Sequence, residues 1–232
     1  MKIKVLGSSS EGNAYIVSDG GTTLLLECGL PISELKIKTN FFEPMPNACI
    51  ISHSHGDHAK SVRDIMRLGI PCYMSSETFV ESGRPVFVEL MENLKQFSVG
   101  TFDIRPLEMN HDVYCLGFYI YSRETNKSLF FATDTYFIPY KLPPMDYIMV
   151  EANYDIDILN DRIMSGYVEP AMKNRLARSH MEIGSTIRWL KKQDLSKTKR
   201  IYLLHLSYGS SNAEEFKNRV ESITGVPVTI AE

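Results

Sequence analysis

The chain has 232 residues, of which 44% are hydrophobic and 23% charged, and its formal net charge is −3 at pH 7. This composition is ordinary for a globular protein, and no segment approaches the ~18 consecutive apolar residues of a membrane span. The net charge argues against a large sequence-independent nucleic-acid surface, although local basic clusters can still contact phosphates.

No linker-like segment or internal repeat divides the chain, so we expect a single domain over residues 1–232. The first seven residues read as a strand and lack the apolar core and cleavage site of a signal peptide, which predicts a cytoplasmic protein. The four cysteines are far apart and form no C-x-x-C pair. Neither a disulfide framework nor a structural zinc knuckle is therefore indicated.

Short aliphatic and β-branched segments, separated by Gly, Ser and Asp turns, predict an antiparallel meander with strands at 2–6, 14–18 and 22–27. Pro31 is typical of a first helical turn and predicts a short helix over 32–38. An apolar strand at 48–51 follows. Apolar residues at helical spacing then predict a helix over 57–68, which ends at a glycine.

Strand and helix patterns alternate in the middle of the chain, which favours an α/β fold. The predicted strands lie at 72–74, 86–90, 102–106, 115–121, 129–132 and 147–150, with a helix at 76–82. The chain then becomes helical, at 155–163, 170–178 and 182–192. It closes with a buried strand at 200–204, an amphipathic helix at 212–222 and a strand at 226–230.

All six histidines lie near the predicted ends of elements. The run His53-Ser-His55-Gly-Asp57-His58 follows the strand at 48–51, and the others are His111, His180 and His205. Imidazoles and carboxylates concentrated at strand-to-loop junctions suit first-row divalent ions, zinc above all.

The H-x-H-x-D-H run is followed along the chain by a lone histidine, by an aspartate after a buried strand and by a late histidine. This order resembles that of the metallo-β-lactamase fold superfamily. Leu6–Asn13, Thr133–Thr135, Glu151–Asp155 and His205–Ser207 are similar to its YycJ-type exonuclease-like subgroup, which is related to ribonuclease Z. The resemblance covers essentially the whole chain. It implies an α/β fold of the four-layer αββα sandwich type, with a two-metal site at one edge.

The resemblance also implies seven metal ligands: His53, His55 and His111 for one ion, Asp57, His58 and His205 for the other, and Asp134 as the bridge. The ions would be zinc, with manganese as the alternative. Two divalent ions need about six or seven ligands and a shared carboxylate. A hydroxide that bridges the metals would be the nucleophile, which also makes Asp57 a catalytic candidate.

His180 is the histidine that this ligand set leaves over. In phosphodiesterase members of the superfamily, a histidine in a similar place contacts the scissile phosphate or protonates the leaving oxygen. A helix-capping or surface role is the alternative. Glu151 would orient His180, or would be a buried acid satisfied by backbone amides. Glu27 stands where an aspartate usually supports the metal-binding segment, and Ser179 replaces the usual glycine before His180.

Seven further side chains are candidates for substrate binding: Ser8, Ser9, Asn13, Tyr136, Arg175, Arg178 and Ser207. Ser8, Ser9 and Asn13 can donate to a phosphate, but a plain hairpin turn explains them equally well. The arginines can steer a phosphate, or can belong to a solvated helix face. Tyr136 replaces a common glycine and can narrow the pocket or stack on a base.

These features predict a metal-dependent phosphodiesterase, and above all a nuclease acting on DNA or RNA. An aspartate occupies the bridging position, where β-lactamases commonly use cysteine or lack the bridge. The alternatives are a phosphodiesterase of cyclic nucleotides and a non-catalytic metal-binding scaffold. Thioester hydrolysis would need a cationic clamp that the sequence does not indicate. Nucleic acid or a nucleotide is the expected partner, no membrane is involved, and a homodimer remains open.

Overall fold

The computed structural model describes residues 1–232 and contains two β-sheets with helices in the connections. The strands are β1 (Lys2–Ser9), β2 (Gly12–Ser18), β3 (Thr23–Leu26), β4 (Ala48–Ile50), β5 (Cys72–Met74), β6 (Val88–Leu90), β7 (Phe97–Val99), β8 (Phe102–Met109), β9 (Cys115–Ser122), β10 (Lys127–Ala132), β11 (Tyr147–Glu151), β12 (Arg200–Leu204) and β13 (Val228–Ile230). The helices are α1 (Ile32–Lys38), α2 (Gly56–Ala59), α3 (Val62–Arg67), α4 (Ser76–Glu81), α5 (Ile156–Met164), α6 (Pro170–Ser179), α7 (Ile183–Leu190) and α8 (Ala213–Thr224).

The first sheet has the strand order β1-β2-β3-β4-β5-β6. Its first three strands form the predicted antiparallel meander, and β3 to β6 are parallel. The turn between β2 and β3 is closed by the Asp19 carboxylate, which accepts hydrogen bonds from the backbone amides of Gly21 and Thr22. The histidine run begins at His53, just after the carboxyl end of β4.

The second sheet has the order β13-β12-β11-β10-β9-β8-β7, and β10 to β13 are parallel. Strands β10 and β11 are buried along almost their whole length, as expected for parallel strands covered on both faces. The carboxyl ends of β10, β11 and β12 lie side by side. They deliver Asp134, Glu151 and His205 to the same edge of this sheet.

The chain forms two compact units. Unit 1 comprises residues 1–108, 116–128 and 232, and unit 2 comprises 109–115 and 129–231. A hydrophobic core in unit 1 packs apolar side chains of its sheet against α1 and α3. A smaller cluster in unit 2 contains Tyr154, Leu159 and Leu176. The single-domain organisation stays a prediction.

The α/β class with two sheets flanked by helices is confirmed, and most elements lie where the sequence predicts them. The predicted helix over 57–68 is wrong, because it consists of α2 and α3. The amide of Ser61 donates to the carbonyl of Cys28, 3.0 Å away, instead of continuing the helical ladder. Strand β7 was not predicted. It is three residues long and pairs with β8 across the turn at Gly100.

No helix of the fold combines the length and the apolar character of a membrane span. All four cysteines are buried with free thiols. Burial raises the pKa of the Cys49 thiol, and the neighbouring thiols of Cys28 and Cys72 raise it further. A thiol in this state is a small hydrophobic group and not a nucleophile.

Candidate metal centre

The segment from His53 to His58, here called the metal loop, follows β4 in unit 1 and includes the first three residues of α2. Its start is held by Glu27, whose fully buried carboxylate accepts hydrogen bonds from the Ser52 amide at 3.2 and 3.3 Å. Its end is held by Cys28, whose amide donates to the carbonyl of His58 at 2.8 Å. The segment after β3 therefore supports the metal loop, and Glu27 occupies the supporting position despite its longer side chain.

The imidazoles of the metal loop converge. Nε2 of His53 lies 3.2 Å from Nδ1 of His55, and the ring centroids of His53 and His58 are 4.1 Å apart. His53 and His58 are fully buried. Nδ1 of His53 lies 2.8 Å from the Ser52 hydroxyl, and Nδ1 of His58 lies 3.6 Å from the Glu27 carboxylate. Oxygen atoms behind imidazole rings fix their orientation, which is a common arrangement around metal-ligating histidines.

Asn13 is a buried partner of the metal loop. Its Nδ2 donates to the carbonyl of Asp57 at 3.2 Å and lies 3.1 Å from Nε2 of His58. Its Oδ1 accepts a hydrogen bond from the Tyr15 hydroxyl, which also lies 2.6 Å from the Ser8 hydroxyl. Ser8 and Asn13 thus contact a buried network of unit 1. The role in substrate binding predicted for them, and for Ser9 beside them, stays a prediction.

In unit 2, Asp134 lies among three histidines. Its carboxylate oxygens are 3.9 Å from Nε2 of His111, 3.7 Å from Nδ1 of His180 and 3.7 Å from Nε2 of His205. Asp134 is 2% exposed, so this charge is almost completely removed from water. A buried carboxylate surrounded by imidazoles is a donor set that fits a divalent ion.

The neighbours of His111 determine which of its nitrogens can face a metal. Nδ1 lies 2.7 Å from the carbonyl oxygen of Ser179, which can only accept, so Nδ1 carries the proton. Nε2 is left as the ligand atom, and Asp112 lies 3.0 Å from it. Burial lowers the pKa of His111 and outweighs the opposite effect of Asp134. A neutral imidazole is the form that binds a metal.

Glu151 contacts His180, and its role in orienting that histidine stays a prediction. Its Oε1 lies 2.7 Å from Nδ1 of His180, while Oε2 accepts hydrogen bonds from the amides of Thr135 and Met181 at 2.9 and 3.0 Å. The Glu151 carboxylate therefore contacts both the imidazole of His180 and two backbone amides. Burial raises the pKa of Glu151, but the contact with His180 outweighs it and the net direction is downward. Burial lowers the pKa of His180, and Glu151 reverses this to a net rise.

His205 is positioned by Asn153, a residue that the sequence interpretation quoted but assigned no role. Nδ2 of Asn153 donates to the carbonyl of His205 at 2.7 Å and lies 2.9 Å from its Nδ1. His205 has a φ of 54°, a left-handed conformation that is unusual outside glycine and asparagine. Its ring stacks on His180, with centroids 5.2 Å apart. The motif around Glu151 was the signal that pointed to Asn153.

The other residues predicted to bind substrate are Arg175, Arg178, Tyr136 and Ser207. Arg175 and Arg178 are exposed on α6, and Tyr136 is exposed just after Asp134. Ser207 donates its backbone amide to the carbonyl of Asn153 at 2.8 Å. Their substrate roles stay predictions.

The family model of the beta-lactamase superfamily domain matches residues 40–206, which include every histidine of the chain. The chain belongs to the β-lactamase superfamily. The recognition of the metallo-β-lactamase fold is thereby confirmed, and the mixed α/β arrangement of two sheets flanked by helices matches it. The YycJ-type subgroup stays a prediction. No curated protein sequence matches the chain.

Solved structures of this superfamily's fold are similar over almost the whole chain. The metallo-β-lactamase fold protein YhfI from Bacillus subtilis has a TM-score of 0.76 at 18% sequence identity, over 99% of this chain and 96% of that one. A diphosphatase of the PhnP family has 0.68 at 17%, over 98% and 94%. The short form of human tRNase Z has 0.64 at 15%, over 100% and 96%. At these identities the similarity concerns the fold.

Proposed function

We propose that this chain is a two-metal phosphodiesterase that acts as a nuclease on DNA or RNA in the cytoplasm. The observation that carries the proposal is the position of His180. This imidazole is hydrogen-bonded to Glu151 at 2.7 Å and lies 3.7 Å from Asp134, the predicted bridging ligand. The seven predicted ligands do not require it. A histidine oriented by a carboxylate beside a metal site suits proton transfer to a departing alkoxide.

The donor set fits two divalent ions. Within unit 2, Asp134, Glu151, His180 and His205 form a group of side chains suited to a metal ion. The ligands predicted for one ion are His53, His55 and His111, those predicted for the other are Asp57, His58 and His205, and Asp134 is the predicted bridge. Nitrogen and oxygen donors of this kind favour zinc, and manganese is the alternative. Several of these imidazoles also have a second oxygen or amide partner that orients the ring, as described above.

When bound, the ions would polarise the phosphodiester and lower the pKa of a coordinated water molecule. The chain's own contribution is the proton on His180. Because Nδ1 is engaged by Glu151, Nε2 is the nitrogen left to contact the scissile phosphate and to protonate the leaving oxygen. The charge on Glu151 stabilises the protonated imidazole, and competition from water is limited because Glu151 is fully buried and the His180 side chain is only 12% exposed.

Two of the chains that share this fold are named tRNase Z and diphosphatase, and both names denote hydrolysis at phosphorus. Fold similarity alone does not establish a reaction. It supports the proposal because the site contains the proton donor that this chemistry needs.

The first test is the hydrolysis of bis-p-nitrophenyl phosphate, 3′,5′-cyclic nucleotides and labelled single- and double-stranded DNA and RNA by zinc- and manganese-loaded protein. We expect shortened polymers, and we expect His55→Ala and Asp57→Ala to abolish turnover with the fold intact by circular dichroism. Ser54→Ala is the matched control, since Ser54 lies between two ligands but hydrogen-bonds to Glu81.

Turnover retained by both ligand variants would contradict the two-metal mechanism. Cleavage of cyclic nucleotides with intact polymers would assign the chain to the degradation of signalling nucleotides instead. No turnover on any substrate would favour the non-catalytic scaffold.

The role of His180 has a separate test. His180→Gln should lower kcat on nucleic acid about 10²- to 10⁴-fold, which is the usual range for loss of a general acid. The loss on bis-p-nitrophenyl phosphate should be much smaller, because p-nitrophenolate leaves without a proton. Equal losses on both substrates, or loss of bound metal, would contradict the assignment.

A further inference from the structure

A cavity of about 540 Å³ lies in unit 2, between the segment 136–141 and one face of α7. Its aromatic lining includes Tyr136, Phe137 and Trp189. Tyr136 and Phe137 are 41% and 54% exposed, whereas Trp189 is 6% exposed. Two adjacent aromatic side chains with this exposure suggest that a ligand covers them.

The walls of the cavity are held in place by hydrogen bonds. Nε1 of Trp189 donates to the carbonyl of Tyr140 at 3.0 Å, and the Gln193 side chain accepts from the amide of Leu142 at 3.0 Å. At the other end of the segment, the Thr135 hydroxyl donates to the carbonyl of Phe137 at 2.9 Å. The cavity is therefore formed before any ligand arrives, as is usual for small-molecule sites.

The charge of the lining is positive. Lys141, Arg188 and Lys192 line the cavity, and none of the lining residues is acidic. The nearest acid to Arg188 is Glu182, whose carboxylate is 3.7 Å from its guanidinium and accepts hydrogen bonds from two amides of its own helix. Aromatic faces combined with cations select a ligand that has both a planar ring and an anionic group. A nucleotide has both.

The cavity adjoins the metal centre along the chain. Tyr136 is two residues after Asp134, and the lining residue Met181 directly follows His180. We propose that the cavity binds a nucleotide next to the scissile phosphodiester, with its base on Tyr136 and Phe137 and its own phosphate at the cationic side chains. This inference rests on the proposed function and specifies its substrate as a polynucleotide.

The cations are the reason for choosing a polymer. A cyclic mononucleotide has one phosphate, and the metals would bind it, so the cavity would receive a base without an anion. A polynucleotide has a second phosphate one nucleotide away. Three cationic side chains match that second phosphate, and the aromatic side chains accept any base because stacking is insensitive to sequence.

Trp189 is the only tryptophan of the chain, so its intrinsic fluorescence reports on the cavity. The probe is tetrathymidylate with a 5′-phosphate, titrated into metal-free protein so that no cleavage interferes. We expect saturable quenching of Trp189 that weakens as salt increases. Tyr136→Ala should raise the Kd about 5- to 150-fold, as expected for the loss of one stacked base.

The charge is tested by Arg188→Glu and Lys192→Glu, which should each raise the Kd at least about tenfold. Both residues are exposed, so these variants should fold. Lys191→Glu is the matched control. It makes the same charge change on the adjacent exposed residue, which does not line the cavity, and its Kd should stay within about twofold of the wild type.

Equal Kd values for Lys191→Glu, Lys192→Glu and Arg188→Glu would overturn the inference, as would the absence of quenching. Quenching by an oligoglutamate peptide but not by the tetranucleotide would overturn it in favour of an acidic protein partner. Quenching as expected, with no phosphodiester hydrolysis by the metal-loaded protein, would support the nucleotide site and contradict the proposed function. Hydrolysis of polymers, with Kd values unchanged in all three variants, would support the proposed function and contradict the nucleotide site.

Discussion

Replacing Gly29 with alanine is expected to displace the metal loop without altering the side chain of any predicted ligand. Gly29 lies in the segment that follows β3 and packs directly on the backbone of the loop. A Cβ at this position would be 1.6 Å from the carbonyl oxygen of Asp57, 2.1 Å from its carbonyl carbon and 2.7 Å from the amide nitrogen of His58. All three atoms are backbone, so no rotation of a flexible side chain can remove the overlap.

The size of the displacement follows from these distances. A carbon–oxygen contact is ordinarily about 3.3 Å or longer. The two segments would therefore separate by about 1.7 Å from the 1.6 Å of the built Cβ. Metal–ligand distances tolerate only about 0.2 Å. Asp57 and His58 would lose their positions, and we expect metal affinity to fall by at least about 100-fold, with a loss of folding stability of about 1–3 kcal/mol.

The assay is the zinc content of Gly29→Ala after dialysis against a weak chelator, together with its thermal unfolding. Gly56→Ala is the matched control, because Gly56 lies inside the metal loop but an added Cβ there meets no atom within 4 Å. We expect the Gly29 variant to lose zinc and the Gly56 variant to retain it. Two zinc ions bound to Gly29→Ala with wild-type affinity would refute the reasoning.

Three further predictions concern stability. Burial raises the pKa of Asp19, but hydrogen bonds from Ser122 and Thr101 outweigh this effect and hold the folded pKa below its ordinary value of 3.8. The stabilisation by the Asp19 carboxylate is therefore present above pH 4 and is lost as the pH falls through the lower, folded pKa. The difference in unfolding free energy between wild type and Asp19→Asn, measured on metal-free protein, should shrink below pH 4, and a constant difference down to pH 2.5 would contradict this. Asp155→Ala should lower the free energy of unfolding in urea by about 1–2 kcal/mol, because Asp155 caps α5 and binds Arg219. Asp157→Ala is the control and should lower it much less. Equal losses in the two variants would argue against the cap. Zinc at about 100 times its Kd should stabilise metal-free protein by about 2.7 kcal/mol for each ion bound, and an unchanged urea midpoint would exclude binding to the folded state.

Local patterns were sufficient for most of the elements. The turn residues and aliphatic runs of the N-terminal meander, the proline before α1 and the apolar segment of β12 all act within a few residues of chain. The predicted ranges of α1 and β12 agree with the structure at both ends. The sequence interpretation failed where a distant segment decided the outcome. Ser61 ends a helical stretch because Cys28 accepts its amide, and nothing near Ser61 in the sequence indicates this.

The candidate site divides in the same way. The H-x-H-x-D-H run and the histidines after strands are visible in the sequence, because metal ligands are restricted to a few residue types. The supporting contacts are not visible, since they join residues far apart. Asn13 reaches Asp57 across 44 positions, and Ser179 reaches His111 across 68.

The sequence alone predicts the α/β class and most strands and helices, which follow from periodicity and turn chemistry. The superfamily and the set of candidate ligands follow from the resemblance of short motifs to a known family. Periodicity, turns and motifs are all local properties of the chain. The tertiary structure is needed to show that Nδ1 of His111 carries the proton, that Gly29 must lack a side chain and that Tyr136 shares a cavity with Arg188. Hydrogen bonds, steric overlaps and cavities depend on which atoms lie close together in the folded chain. Residues that are close in the fold can be any distance apart in the sequence, so local patterns do not reveal these contacts.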